Sequence, residues 1–395
     1  MTTRNGTGPF YDFSNAQWQK VRETHRRFSG NGGLGRPLLV PENLLGLLWK
    51  QYRGLFPKED EIVLAGPSRR DLEMDAAIRF FVSSAQAMAD SPVPHDLFPF
   101  LFISRAFYGH SQRLSEPFGT VTEVNGATHA QARPSISDLS QVKHLKLKPV
   151  AECPYLSRSL EVLRYFMESS EGRYHVQHMV TTGPCDTVNY ALGSTLFLES
   201  LYTNPAELHQ LLRMATDVII EHIQACQRIA PGKLVSDHTP LLDGAYCICS
   251  EIRSQFSREH YEEFEMPYLK EIGKAVGPLH IHVSGPIEHS VPSTLADENI
   301  RHYKFWLRDC NLARVTEMVG DRVSVDFFRN DCMPSLGFPS VSAYFKYVFE
   351  SLKPETRWTI TEYCPADYNK AYGELEREGR LPRQIRTLGP LPEIA

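Results

Sequence analysis

Residues 279–286 read LHIHVSGP and place two histidines two positions apart in an apolar run that is typical of a buried β-strand. Side chains alternate along a strand, so His280, His282 and Ser284 share one face. Imidazoles on such a face can bind a metal ion, transfer protons, or form ordinary hydrogen bonds inside a core. The residue types alone leave all three interpretations open.

Ionisable residues also stand at the ends of other predicted strands. Asp237 and His238 end the fourth strand, and Arg329 follows the seventh. Glu362 and Cys364 lie two positions apart at the end of the eighth, where the strand period puts them on one face. Because an ionised carboxylate inside a fold is costly without a partner or a task, Asp237 and Glu362 are the candidate acids or bases.

The eight cysteines are scattered through the chain. Cys247 and Cys249 form a C-x-C pair, which is closer than the C-x-x-C spacing of redox sites and has no second pair at metal-ligand spacing. We interpret both as buried packing residues. Scattered cysteines and a first segment without an apolar signal core predict reduced thiols and a cytoplasmic protein.

Eight apolar, β-branched runs predict the strands that carry these residues, and most of them are followed by a helical pattern. The runs are residues 37–40, 99–102, 174–180, 234–237, 279–283, 302–306, 322–327 and 358–363. This alternation predicts an α/β fold, a closed (β/α)₈ TIM barrel, whose active site collects at the carboxyl ends of the strands. The glycine-rich stretch GNGGLG precedes a strand instead of following one, so it is no dinucleotide fingerprint.

Two segments depart from the barrel pattern. Residues 1–36 predict an N-terminal helical extension, before a barrel over residues 37–395. Residues 118–150 are an insertion in which TVTEVNGATHAQ predicts a β-hairpin, with a two-residue type I′ turn at Asn125-Gly126. The charged run at 257–265 is interpreted as a solvated helix face.

Composition excludes several classes of partner. Of the 395 residues, 42% are hydrophobic and 23% charged, which is ordinary for a globular protein, and the net charge of −5 argues against a dedicated nucleic-acid binder. No apolar run of about 18 residues occurs, so no membrane span is expected. A small molecule is the expected ligand.

The order of several segments resembles the uroporphyrinogen decarboxylase superfamily, which includes corrinoid- and thiol-dependent methyltransferases. The segments are DLFPFL, NGATHAQARPSISDL, TTGPCDTVNYALG, NPAELHQLLRMATDVIIEHIQA, FSREHYEEFEMPYLKEI, HVSG and VTEMVGDRVSV, in the order that the family shows. The likeness extends over most of the chain. It implies an enzyme with a TIM barrel, and family members are often homodimers.

The methyltransferases of this superfamily carry His-x-Cys-Gly on the fifth strand and a second cysteine on the eighth, and together these bind zinc. Here His282-Val-Ser284-Gly matches with serine in place of the first cysteine, and Cys364 stands where the second is expected. A neutral hydroxyl is a poor zinc ligand, so the resemblance implies a weakened, degenerate zinc site. His280, His302 or Glu362 are candidates for a third ligand.

In the decarboxylase that gives the superfamily its name, a cup of arginines holds the carboxylates of an acidic tetrapyrrole, and the enzyme needs no cofactor. The arginine-rich N-terminal motif of that family is not present, and GRPLLVPEN offers Arg36 alone. Without such a clamp the substrate carboxylates lack bidentate partners. True uroporphyrinogen decarboxylation is therefore disfavoured.

The leading hypothesis is methyl transfer to a small thiol at the barrel mouth, with zinc. The alternative is a metal-free decarboxylase or lyase with acid/base chemistry, and the third is a binding protein that has lost catalysis. A corrinoid would arrive on a separate partner protein, because D-x-H-x-x-G does not occur. The predicted residues are Asp237, His282 and Glu362 for catalysis, His178, His238, Ser284 and Arg329 for substrate binding, and His282 and Cys364 for metal.

Overall fold

The computed structural model describes residues 11–30, 34–41, 78, 81–92, 95–96, 98–101, 111–125, 129–178, 181–236, 241–328, 337–363 and 365–392. Everything below concerns these residues. None of their helices is both long enough and apolar enough to cross a membrane.

The strands are Leu38–Pro41 (β1), Val121–Asn125 (β2), His129–Arg133 (β3), Val176–Gln177 (β4), Thr181–Thr182 (β5), Leu234–Val235 (β6), Tyr246–Cys249 (β7), Leu279–Val283 (β8), Ile300–Trp306 (β9), Ser324–Phe328 (β10) and Arg357–Tyr363 (β11). Seven of them form one parallel sheet in the order β1-β11-β10-β9-β8-β7-β5. Parallel neighbours need long crossovers, which the intervening helices supply.

Further backbone contacts carry this sheet around toward its own start. β4 pairs in parallel with β6. β5, which follows β4 closely in the chain, pairs in parallel with β7. Val176 in β4 bridges to Leu101, and the Asp96 N–H donates to the Leu39 carbonyl of β1 at 2.8 Å. The fold is therefore the α/β fold of TIM-barrel type that the sequence predicts.

The helices are Ala16–Ser29 (α1), residues 81–89 (α2), Pro154–Ser169 (α3), Pro184–Leu192 (α4), Ser194–Thr203 (α5), Pro205–Ile229 (α6), Arg258–Phe264 (α7), Met266–Val276 (α8), Val291–Thr294 (α9), Leu312–Val319 (α10), Val341–Ser351 (α11), Pro365–Arg377 (α12) and Arg383–Leu388 (α13). Short 3₁₀ helices cover Ser111–Phe118, Leu139–His144, Val150–Glu152, Ile252–Gln255 and Leu307–Asp309. The longest, α6, has Pro205 at its start and buries the predicted apolar face that includes Leu208, Leu212 and Ile219.

The two faces of the central strands differ sharply in polarity. One face carries apolar side chains such as Ile248, Ile281 and Val325, which pack into the core that the helices share. The other face is buried yet polar. Its members are Cys247, Cys249, His280, His282, His302, Lys304, Ser324, Asp326 and Thr359. The polar face is the inner face of the barrel, so its residues can serve a site there.

Helix α1 packs near the amino ends of the strands. Its Phe28 forms a small cluster with Leu38 and Leu241, and the Arg357 guanidinium donates to the Phe28 carbonyl at 2.8 Å. Arg36, just before β1, holds Asp96 through two hydrogen bonds of 2.6 and 2.9 Å. Arg36 is therefore engaged at the end of β1 opposite to the one where barrel enzymes keep their active sites.

β2 and β3 form an antiparallel hairpin. Asn125 pairs with His129, which leaves a three-residue connection at 126–128. The predicted two-residue turn at Asn125-Gly126 is therefore wrong, because Asn125 belongs to the strand and pairs with His129.

Candidate metal centre

Three potential metal ligands converge at the carboxyl ends of β7 and β8. Cys249 ends β7, Glu251 follows two residues later, and His282 is the register partner of Cys249 on β8. The Cys249 Sγ lies 3.3 Å from the His282 Nδ1, and the Glu251 Oε1 lies 3.0 Å from the same nitrogen. The three ligand atoms lie within 4.8 Å of one another. A thiol, a carboxylate and an imidazole thus share one small volume.

The carboxylate of Glu251 is held from both sides. One oxygen faces His282, and the other accepts the backbone N–H of Ser284 at 2.5 Å. Gly285 comes next with φ +112°, and a Cβ there would lie 2.7 Å from the Cβ of Ser254. The close approach explains why glycine follows Ser284, since only glycine fits both the space and the dihedral angle.

The electrostatics of the cluster favour a charged pair in the metal-free protein. Burial opposes charge on His282, but Cys249 and Glu251 outweigh it and raise the pKa of the imidazole to about 9. Burial likewise opposes charge on Glu251, yet its contacts with His282 leave the pKa of that carboxyl below its ordinary value. The adjacent Cys247 and burial raise the pKa of Cys249 well above the usual range.

The donor set fits a transition-metal ion. Zinc takes thiolate, imidazole and carboxylate ligands, and its catalytic sites need only three from the protein. A bound cation would replace the protons that Cys249 and His282 carry in its absence. Cys249, Glu251 and His282 would hold such an ion.

A second polar layer lies one strand position deeper. His280 Nδ1 contacts the Ser236 hydroxyl at 2.9 Å, and burial lowers the pKa of that imidazole well below its usual value. His302 contacts Ser324 through Nδ1 and Asp243 through Nε2. These partners tie the two rings to the deeper layer, and neither ring belongs to the cluster of Cys249, Glu251 and His282. In the described part of the chain, the residues that share the cluster with His282 are therefore Cys249 and Glu251, and not the predicted His280 or His302.

Lys304 and Asp326 continue the polar belt on the next two strands. Lys304 is the register partner of His282, and Asp326 is the partner of Lys304. Their side chains form an ion pair of 2.9 Å, and both are almost completely buried. A fixed pair of opposite charges therefore lines the barrel beside the cluster.

The structure brings only some of the predicted site residues together. His282 and Ser284 meet at the cluster. His178 stacks on Tyr246 with a centroid distance of 4.4 Å, and its Nε2 accepts the N–H of Cys247 at 3.4 Å. Those contacts join the residue that follows β4 to β7. Asp237, His238, Arg329 and Cys364 lie outside the described residues, and Glu362 lies in β11 with a side chain outside them.

Sequence reasoning missed Cys249 and Glu251. The run YCIC at 246–249 shows no alternation of polarity, so its pattern predicts packing cysteines, whereas the structure places the run in strand β7. One signal was available. Cys247, Cys249 and Glu251 stand at every second position, which in an extended chain puts their side chains on one face. The interpretation of 257–265 as a solvated face is also wrong in part, because Tyr261, Phe264 and Glu265 are buried.

The fold and the site together define a barrel protein with a candidate metal centre at the carboxyl ends of two adjacent strands. Residues 114–301 match the family model of uroporphyrinogen decarboxylase (URO-D). A methyltransferase from Methanosarcina mazei superposes with a TM-score of 0.57 at 13% identity, over 91% of this chain and 98% of that one. No curated protein sequence matches this chain. The structural likeness shows a shared fold, and the match over residues 114–301 confirms the predicted resemblance to the uroporphyrinogen decarboxylase family.

Proposed function

We propose that this protein is an enzyme that transfers a methyl group to the thiol of a small molecule, with zinc held by Cys249, Glu251 and His282. The observation that carries the proposal is the cluster itself. Its three ligand atoms lie within 4.8 Å of one another at the carboxyl ends of parallel strands, where barrel enzymes keep their active sites. The M. mazei methyltransferase supports the reaction class by its name.

Zinc at this site would lower the pKa of a substrate thiol and supply a thiolate nucleophile at neutral pH. The protein's own groups prepare the place. The Ser284 N–H fixes the Glu251 carboxylate, and that carboxylate fixes the orientation of the His282 ring. Cys249 and His282 are 5% and 6% exposed, which strengthens the charge interactions at the imidazole, while the Glu251 side chain is partly exposed.

Other residues keep the roles that the sequence predicts as part of this proposal. Cys364 is proposed as a further ligand from the end of β11. Asp237 and Glu362 are proposed as acid/base groups, and His238, Arg329 and His178 as residues that shape the substrate site. A corrinoid, if it is the methyl donor, is proposed to arrive on a separate protein.

A metal-free decarboxylase or lyase is the second candidate, and the family match over 114–301 favours it. It would use Asp237 or Glu362 with His282 for proton transfer. Arg36 argues against an acidic tetrapyrrole as substrate, because that arginine is held by Asp96 near the amino end of β1. The substrate carboxylates would have to find other cations.

The test mixes the purified protein with methylcobalamin and a panel of small thiols and measures the methylated thiol. We expect product with the wild type. Removal of an outer partner of a metal site typically lowers activity about 10–100-fold. The ligand variants Cys249→Ser and His282→Ala should lower the rate of methyl transfer by more than that. Cys247→Ser is the matched control, because this buried cysteine lies two positions earlier on the same strand and is not one of the three ligands, and a serine hydroxyl can keep the hydrogen bond to Cys249.

Full activity of both cluster variants would contradict the proposal. Release of carbon dioxide from uroporphyrinogen, with no methyl transfer to any thiol, would favour the second candidate instead. Loss of methyl transfer in Cys247→Ser to the same extent as in Cys249→Ser would show that the assay reports damage to the strand.

A further inference from the structure

The turn after β7 carries Glu251, and it begins a short 3₁₀ helix, Ile252–Gln255. Of the three clustered ligands Cys249, Glu251 and His282, Glu251 is the one that does not lie on a strand. A long side chain on a turn has many accessible positions, and ordering it costs about 1–2 kcal/mol of side-chain entropy. The turn itself must therefore be fixed if the carboxylate is to stay beside His282.

Asp186 fixes the turn from one side. It lies in the first turn of α4, is 2% exposed, and accepts two successive backbone N–H groups, from Glu251 at 2.6 Å and from Ile252 at 3.0 Å. The carboxyl group thus caps the start of the 3₁₀ helix, as an N-cap residue caps an α-helix. Asp186 reaches the backbone of Glu251 and none of the three ligand atoms.

Arg253 fixes the turn from the other side. It is completely buried, and its guanidinium donates to the hydroxyls of Tyr261, Ser290 and Thr294 at 3.2, 3.0 and 3.2 Å. The Tyr261 ring also packs against the guanidinium at 4.5 Å. Ser290 and Thr294 belong to the segment that follows β8. Arg253 therefore ties the turn of Glu251 to the segment that leads away from His282 and Ser284.

From this geometry we infer that Asp186 and Arg253 are positioning residues, which set the metal affinity and coordination of the centre by holding Glu251 in place. The inference rests on the proposed metal centre and extends it to residues that touch no ligand atom. It assigns a role to Asp186 in the sequence GPCD at 183–186, which forms the start of helix α4. Outer groups that orient a ligand typically change metal affinity about 10–100-fold.

The test loads the metal-stripped protein with Co²⁺ alone and records its absorption spectrum. A thiolate ligand adds a charge-transfer band in the near ultraviolet, and the visible bands report the number and kind of the remaining ligands. We expect Glu251→Gln to change the visible bands and to keep the thiolate band. Asp186→Asn and Arg253→Lys should change the visible bands in the same direction and weaken Co²⁺ binding about 10–100-fold.

Glu116→Gln is the matched control. Glu116 is also a buried carboxylate that accepts two successive N–H groups, but from Tyr155 and Leu156 at the start of α3. It should lower folding stability and leave the cobalt spectrum and affinity unchanged. If Asp186→Asn does not fold, Arg253→Lys carries the test with the same expected result.

If both Asp186→Asn and Arg253→Lys show the cobalt spectrum and affinity of the wild type, the inference is overturned while the proposed metal centre stands. The proposed metal centre fails separately, and the inference with it, if the wild type binds no Co²⁺ or keeps its thiolate band after Cys249→Ser. A cobalt site that Glu251→Gln leaves unchanged would also overturn the inference, since Glu251 would then need no positioning.

Discussion

The serine of the His-Val-Ser-Gly sequence has a concrete role in the structure. Its backbone N–H binds the carboxylate of Glu251, and Glu251 in turn faces His282. A sulfur ligand is still at hand, because Cys249 lies 3.3 Å from the same imidazole on the neighbouring strand. Under the proposed function, the thiolate that Ser284 cannot supply comes from β7.

The charge state of His282 gives a prediction about pH. Its pKa in the folded, metal-free protein is about 9, above the ordinary 6.5. The charged imidazole therefore stabilises the fold fully below pH 6.5, and this contribution is lost as the pH rises through 9. Between these limits the metal-stripped wild type should lose on the order of 3 kcal/mol of unfolding free energy relative to His282→Gln.

Denaturant unfolding of both proteins at pH 6.5 and 9, with a chelator present, measures this difference. The comparison with His282→Gln cancels the other groups that titrate in the same window. An identical pH dependence of the two proteins would mean that the imidazole carries no extra proton in the fold, and that Glu251 does not stabilise its charge.

At the level of elements, the register of parallel strands assembles the site. Cys249 and His282 are 33 positions apart in the sequence and become neighbours because β7 and β8 pair with Cys249 opposite His282. A shift of one residue would turn Cys249 to the helix-facing side. The fifth predicted strand was placed correctly at 279–283, while the four-residue β7 was missed. A short apolar run without alternation fits a buried strand and a buried helix segment equally, so its periodicity does not identify it as a strand.

Gly285 allows a prediction at the junction of two elements. Gly285→Ala should destabilise the fold by about 1–3 kcal/mol, because alanine is strained at φ +112°. It should also weaken metal binding, since the new Cβ would push against Ser254 and separate the Ser284 N–H from Glu251. Denaturant unfolding and a competition titration of zinc against a chelator measure the two effects.

Gly277→Ala is the matched control for this change. Gly277 follows α8 with φ +101°, and a Cβ there would meet no atom within 4 Å. It should show the strain cost and wild-type zinc affinity. Equal zinc affinities in the two alanine variants would show that the contact between the loops of Ser254 and Gly285 does not support the centre.

The whole molecule combines an apolar shell with a polar barrel interior. Alternation of strands and helices was visible in the sequence because each element has its own period, as in the apolar face of α6. Candidate residues were visible only where they lie in a recognised strand, as His282 does. Contacts such as Glu251 with Ser284 or Asp186 with Ile252 depend on how loops fold over the strand ends. No local period encodes those contacts, so they required the structure.

The most direct test of the central claim is the metal content of protein purified without chelators, measured by elemental analysis. The account predicts about one zinc per chain in the wild type and in Cys247→Ser, and strongly reduced zinc in Cys249→Ser and His282→Ala. Cys364→Ser should also lose zinc if the end of β11 supplies a ligand. A wild type without metal, or zinc that survives both Cys249→Ser and His282→Ala, would contradict the account.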